Sequence, residues 1–164
     1  MTNSTIEFYL RLILIVSLVA IISAYFIEYV LGHQPCNLCL IERIPYGLSI
    51  ILVTLNYFFK KNEKLIIFLL ILIFFFSFAI SIYHLGIEQG LFKESGVCGS
   101  KNMTGIISKE EILKQLQEKT VSCKDVTFRI FGLSLTTFNI IISLFLSILL
   151  INMFRNYEKF KKQS

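Results

Sequence analysis

Two stretches of this chain run without Asp, Glu, Lys or Arg for longer, as helices, than the hydrocarbon core of a lipid bilayer is thick. Leu65 to Ile87 is such a run of 23 residues and Ile130 to Phe154 one of 25. About 20 apolar residues in a helix cross the hydrocarbon core, and a segment in lipid has to satisfy its backbone polar groups internally. Both runs therefore read as transmembrane helices. Composition agrees: 55% of residues are hydrophobic and 16% charged, against roughly 25% charged in ordinary soluble domains. The net charge of +5 does not point to nucleic acid, because the basic residues cluster at Lys60, Lys61 and Lys64 and at Arg155, Lys159, Lys161 and Lys162, beside the apolar blocks. That is the pattern of cytoplasmic flanks of membrane helices.

Two shorter blocks need more argument. Leu12 to Ile27 is free of charge for 16 residues between Arg11 and Glu28, whose side chains can snorkel from the ends of a span. A cleaved signal peptide is the competing reading; the long apolar core, the single basic flank at Arg11 and the lack of a clear small-x-small cleavage site weigh against it. Ile44 to Phe59 also has 16 uncharged residues, too few to span unaided. Lys60 to Lys64 fixes its C-terminal end, so the helix has to begin near Cys36 to Leu40, which places Cys39, Glu42 and Arg43 in its first turns at the membrane surface. The expectation is an all-α, integral membrane four-helix bundle, a single domain over 1–164, with spans at about 9–31, 39–59, 65–87 and 130–154. A short first loop and a long second loop, 88–129, lie on the side opposite the termini. In the long loop, Ser108-Lys109-Glu110-Glu111 has capping-box form with Ile107 and Ile112 as its staple. An amphipathic helix carrying Ile112, Leu113 and Leu116 is predicted there, resting on the bilayer or on the bundle.

Four spans put Cys36, Cys39, Cys98 and Cys123 in one compartment. The Lys and Arg count is 8 on each side, but the charges on the terminal side are denser and closer to helix ends. Disulfides persist in oxidising compartments, so the cysteine side is expected outside the cytoplasm and the termini inside.

Cys36-Asn37-Leu38-Cys39 is a C-x-x-C, a spacing shared by zinc sites, haem attachment and thiol redox chemistry. Haem attachment wants a following His, and Leu40 follows. A structural zinc site usually brings a second close pair, whereas 24 residues separate Cys98 from Cys123 and the two histidines, His33 and His84, lie in different segments. No metal is expected. Two purely structural disulfides in a non-enzymatic membrane protein remain the plain alternative. The neighbourhood favours redox work. A helix start stabilises a thiolate, and Arg43, four residues after Cys39, would lie one turn along the same face. Pro45 cannot donate to the carbonyl of Ile41 and is expected to kink the helix. Glu42 could neutralise Arg43, orient it or face another helix. A dithiol at the lipid surface needs an electron acceptor, and the acceptor dissolved in lipid is quinone. His84 and Glu88, at i and i+4, end the third span at the same surface. His84 could protonate or hydrogen-bond a quinone oxygen, or be an interface histidine bound to backbone or lipid. Asn139 reads as a helix–helix hydrogen bond.

Pro35-Cys36-Asn37-Leu38-Cys39-Leu40-Ile41-Glu42-Arg43 resembles the P-C-x-L-C-x-x-E-R signature of the DsbB family. Tyr83-His84 through Glu88 with Gly90-Leu91-Phe92 resembles the end of that family's third helix, and Cys98, Cys123 and Phe131-Gly132-Leu133-Ser134 its long loop and entry to the fourth. The resemblance covers almost the whole chain. It implies a quinone-dependent thiol oxidase of the bacterial inner membrane that reoxidises a periplasmic DsbA-like thioredoxin-fold protein. Cys98 and Cys123 would form the disulfide met by the partner, with Cys98 engaged by the partner's thiolate. Cys36 would exchange with Cys123, and Cys39 would face ubiquinone or menaquinone, with Arg43 stabilising charge on both and His84 at a quinone-associated position. A vitamin K epoxide reductase-like enzyme is the nearer rival, but its C-x-x-C falls late in the bundle. A transporter subunit would show ionisable residues or broken helices near the midplane, whereas charges here sit near the ends.

Overall fold

The computed structural model describes residues 4–59, 62–94, 96, 98, 121–124, 128–130 and 132–162. The helices are α1 (Ser4–Tyr29), α2 (Asn37–Ile41), α3 (Ile44–Phe58), α4 (Glu63–Glu88), α5 (Leu135–Arg155) and α6 (Tyr157–Lys162). Strands β1 (Arg129–Ile130) and β2 (Leu133–Ser134) pair antiparallel just ahead of α5. Among the described residues, four helical stretches are long and apolar enough to cross a membrane: Thr5–Tyr29, Asn37–Phe58, Glu63–Glu88 and Leu135–Arg155. The predominantly helical, multi-pass architecture read from the sequence is the one observed. The helix anticipated around Ser108 to Lys119 lies outside the described residues.

Two boundaries differ from expectation for local reasons. The fourth apolar run begins at Ile130, but α5 begins at Leu135, because the chain first folds back around Gly132. That residue has φ +83°, a conformation that favours glycine. Ser134 then caps α5, its hydroxyl accepting from the Thr137 N–H at 3.4 Å. In the second span the anticipated kink is a break. Pro45 supplies no N–H, so α2 stops at Ile41 and α3 restarts with Pro45 in its first positions, where no N–H is required. Glu42 and Arg43 form the turn between them, their N–H groups donating to the carbonyls of Leu38 (2.9 Å) and Leu40 (3.2 Å).

α4 and α5 form the most extensive pair, α1 lies on α3, and α3 on α4, whereas α1 and α5 barely touch. The main core includes Ile6, Leu10 and Ile13 of α1, Val53 of α3, Phe74 of α4 and Leu146 of α5. Phe8, Ile22, Phe58, Phe75 and Ile141 point outward and are exposed, the expected state of side chains facing lipid. Because lipid is as apolar as leucine, small and polar groups contribute much of the specific association between membrane helices. Ser17 of α1 and Ser49 of α3 share a hydrogen bond of 2.7 Å. Asn139 of α5 donates to the Ser81 hydroxyl of α4 at 2.7 Å and accepts from the Tyr46 hydroxyl of α3. Asn139 is thus the helix–helix tie anticipated for it.

At its C-terminal end α4 turns sharply through Gly90, φ +75°. The N–H groups of Leu91 and Phe92 return to the Gly86 carbonyl at 2.8 and 3.1 Å. The Phe92 ring stacks on Tyr83 with centroids 5.7 Å apart and lies where a Cβ on Gly86 would fall. Gly86→Ala is therefore expected to lower the unfolding temperature in detergent, the overlap costing about 1–3 kcal/mol against a helix-propensity gain of about 1 kcal/mol. In a Phe92→Ala background the same substitution should become neutral or stabilising, and a double-mutant cycle of thermal melts would read the reversal.

Candidate thiol–disulfide site

Cys36 is the N-cap of α2, in an extended conformation (φ −73°, ψ 167°), and its sulfur accepts from the Cys39 N–H at 3.2 Å. Both thiols are free; Cys36 is buried and Cys39 half-buried. The other two cysteines are joined: Cys98 and Cys123 form a disulfide with Cα atoms 5.3 Å apart. Ser122 and Lys124 on either side of Cys123 bind the Glu94 carboxylate, through the Ser122 hydroxyl and through the Lys124 N–H at 3.3 Å. That tie holds the Cys123 segment to the chain leaving α4. Cys36, Leu38, Ile87, Cys98 and Cys123 then share one buried cluster, with Cys39 and Ile41 packed against it. The loop pair is therefore seated on the helix pair and does not stand apart from it.

His84 ties the cysteine end together. It is buried (1% exposed), so its ring nitrogens need partners within the protein. Nε2 lies 3.5 Å from the Cys36 sulfur, and Nδ1 lies 3.0 Å from Glu42 Oε1 and 3.2 Å from the Thr136 hydroxyl. Glu88, one turn further along α4, has Oε1 3.8 Å from Nε2 and accepts from Thr136 at 2.5 Å. Of the three options open for Glu42 in the sequence, the structure takes the last, since it faces a helix other than its own. The histidine is neither at lipid nor on backbone, and the fold carries it to the C-x-x-C although the two are 48 residues apart. His84 thus stands beside the C-x-x-C although the sequence places the two in different segments. The ligand atoms of Cys36, Cys39 and His84 lie within 4.8 Å of one another.

Arg43 was expected one turn below Cys39 on a continuous helix. The break at Glu42-Arg43 turns it to α1 instead. Its guanidinium lies 2.5 Å from Glu28 Oε2 and over the Tyr25 ring, 5.0 Å from the centroid. Glu28 was read only as the end of an apolar block, and nothing in the sequence singled out Thr136. Arg43, His84, Cys36, Cys39 and Cys123 all line a cavity of about 470 Å³. Its walls are largely apolar, with Val16 and Val19 from α1 and Leu135 and Ile142 from α5. The cavity occupies the gap left where α1 and α5 fail to pack.

A membrane-spanning helical bundle that seats a C-x-x-C thiol pair against a second disulfide belongs to the class of membrane proteins of thiol–disulfide chemistry. The family model described as Disulfide bond formation protein DsbB matches residues 7–153, and the chain belongs to that family. An uncharacterized protein of Rickettsia prowazekii (strain Madrid E) is 29% identical over 144 residues, 86% of this chain and 84% of that one. No solved structure matches. The resemblance carried by the C-x-x-C and third-helix motifs is thus the family relationship, and it makes this a membrane oxidoreductase of disulfide-bond formation.

The Cys36 thiol is pushed down from its ordinary 9.0 to about 5. The hydrogen bond with the Cys39 thiol lowers it most; burial opposes, and the hydrogen bond and charge of His84 add to the lowering. Thiolate, the reactive form, thus predominates at Cys36 above about pH 5. Alkylation of reduced Cys36 by iodoacetamide, followed site by site in mass spectrometry, is expected to be nearly flat above about pH 6 and to fall about tenfold per unit below the midpoint. His84→Ala should move the midpoint upward. A rate still rising tenfold per unit between pH 7 and 8 would contradict this assignment.

Proposed function

We propose that this protein is a quinone-dependent thiol oxidase that reoxidises a thioredoxin-like dithiol protein, with Cys98–Cys123 as the entry disulfide and Cys36–Cys39 as the exit pair. The observation that carries the reading is that both pairs meet in one cluster, with Cys36, Cys39 and Cys123 also lining the cavity. The proposed location is a bacterial inner membrane, with the cysteines periplasmic and the termini cytoplasmic.

In the proposed relay a partner thiolate attacks Cys98, forming a mixed disulfide and releasing Cys123 as thiolate. The partner's second thiolate then resolves that bond; the partner leaves oxidised, and its two electrons remain on Cys98 and Cys123. With the exit pair oxidised, the Cys123 thiolate attacks Cys36 and expels Cys39 as thiolate. Cys98 next attacks Cys123, restoring the entry disulfide and leaving the electrons on Cys36 and Cys39. Thiol–disulfide exchange proceeds through such mixed disulfides and depends on thiolate fraction and leaving group, so a Cys36 that holds its negative charge suits it to leave in the last exchange. His84, held by Glu42, lies 3.5 Å from the Cys36 sulfur and is placed to exchange a proton with it.

The cavity suits a quinone by the chemistry of its lining. Apolar walls match a ring and its isoprenoid root, while the Arg43 guanidinium has more N–H donors than its contact with Glu28 uses and could reach a carbonyl oxygen. When bound, ubiquinone or menaquinone would supply the two-electron, two-proton acceptor. Arg43, aligned by Glu28, and Cys39 are the residues that would face it.

The test mixes the purified protein, a reduced thioredoxin-like dithiol protein and a soluble quinone, and follows quinone reduction. Cys39→Ser is expected to reduce the rate to background; wild-type activity in that variant would sink the reading. Cys98→Ala should block oxidation of the protein partner yet leave reduction of quinone by small dithiols at least partly intact. Equal loss with both donors would remove Cys98 from the entry role.

A further inference from the structure

We propose that the reduced protein carries a zinc site formed by Cys36, Cys39 and His84. The site goes beyond the oxidase reading and does not depend on it, since it requires only that both thiols be reduced.

The geometry is that of three converging ligands. Both sulfurs and a His84 nitrogen lie within 4.8 Å of one another, and Cys36 Sγ is 3.5 Å from Nε2. Around tetrahedral zinc, with Zn–S about 2.3 Å and Zn–N about 2.0–2.1 Å, neighbouring ligand atoms stand about 3.5–3.8 Å apart. An ion can therefore be seated with small side-chain adjustments. The outer contact is the one metal-bound histidines use: Nδ1 of His84 lies 3.0 Å from Glu42 Oε1, and a carboxylate on that nitrogen keeps the lone pair of the other aimed at the metal. A bare C-x-x-C has no such third ligand and no such support. Charge also balances, because two thiolates neutralise Zn²⁺ in a buried site where an uncompensated ion would be costly. Three protein ligands leave a fourth position open, as in zinc sites that accept a water or an exogenous ligand.

The chemistry makes occupancy depend on redox state. Zinc binds the thiols as thiolates, releasing up to two protons per ion. Formation of the Cys36–Cys39 disulfide removes two electrons and both sulfur ligands, and the ion is expelled. Zinc would thus hold the exit pair reduced and withdraw it from exchange.

The experiment uses the full chain in detergent micelles, reduced with a phosphine that is then removed, and zinc titrated against a chromophoric chelator. One zinc per chain is expected, unchanged in a Cys98→Ala/Cys123→Ala variant and lost in Cys36→Ser. Diamide, which takes two electrons and two protons from the thiols, should release the ion. Glu42→Gln should weaken binding about 10- to 100-fold, and His84→Ala at least about as much. On the wild-type chain, Co²⁺ should give tetrahedral ligand-field bands with thiolate-to-cobalt charge transfer from two sulfurs, a readout that needs no variant to fold. Zinc retained after diamide, binding in His84→Ala equal to wild type, or a cobalt spectrum without thiolate bands would each overturn the site. None of these outcomes bears on quinone reduction, so failure of the zinc site and failure of the oxidase reading are distinguishable.

Discussion

A buried imidazole cannot be left unpaired, and the cysteine end of this protein is arranged around that constraint. Leaving a buried polar group without a partner costs about 1–3 kcal/mol. His84 meets its need with Cys36 from the start of α2, Glu42 from the turn before α3, Thr136 from the first turn of α5 and Glu88 from its own helix. Each partner comes from a different place in the chain. Satisfying one ring therefore fixes how α2, α4 and α5 meet, and the C-x-x-C is held where that meeting puts it.

The break between α2 and α3 makes this possible. In an uninterrupted helix, neighbouring residues point about 100° apart, and the first turns of the second span would follow a single axis. Pro45 releases the backbone at Glu42 and Arg43, and the two charges part company. Glu42 reaches α4 and orients His84, while Arg43 reaches α1 and pairs with Glu28. One missing N–H thus separates two functions that the sequence places side by side, a support for the thiol side of the site and a cation at the cavity wall.

Much of this was legible in the sequence. Long charge-free runs left no alternative to membrane helices, and the shortness of the block from Ile44 to Phe59 forced the C-x-x-C to the head of a helix at the membrane surface. The proline announced the interruption. What periodicity cannot carry is which charged residues find each other across helices. Arg43 at i+4 from Cys39 argued for a thiol partner, and the local rule failed because it assumes a continuous helix. Glu28 and Thr136 gave no signal, since an acidic residue at a span end and a threonine in a span start have ordinary reasons to be there. The seating of Cys98–Cys123 on the helix pair depends on Glu94 binding the backbone and side chain around Cys123, a long-range contact with no sequence period.

The open seam between α1 and α5 follows from the same physics that builds the bundle. In water an unclosed ring of helices would expose apolar surface and collapse, but in lipid the tails are as apolar as the side chains they replace, so nothing compels closure. What a membrane does not tolerate is unsatisfied polar groups along such a seam. Here Arg43 has Glu28, His84 has Glu42, and Asn139 has Ser81 and Tyr46. These three groups therefore have partners within the protein before any ligand enters the cavity. Ile15 and Val19 line it and are also exposed on the outer face of α1, so its apolar side is continuous with the surface that lipid covers. In the proposed relay a hydrophobic acceptor dissolved in the bilayer would reach the thiols along that surface, while a water-soluble partner would meet the disulfide from the loop side. The two ends of the proposed relay are thus separated by solvent rather than by distance.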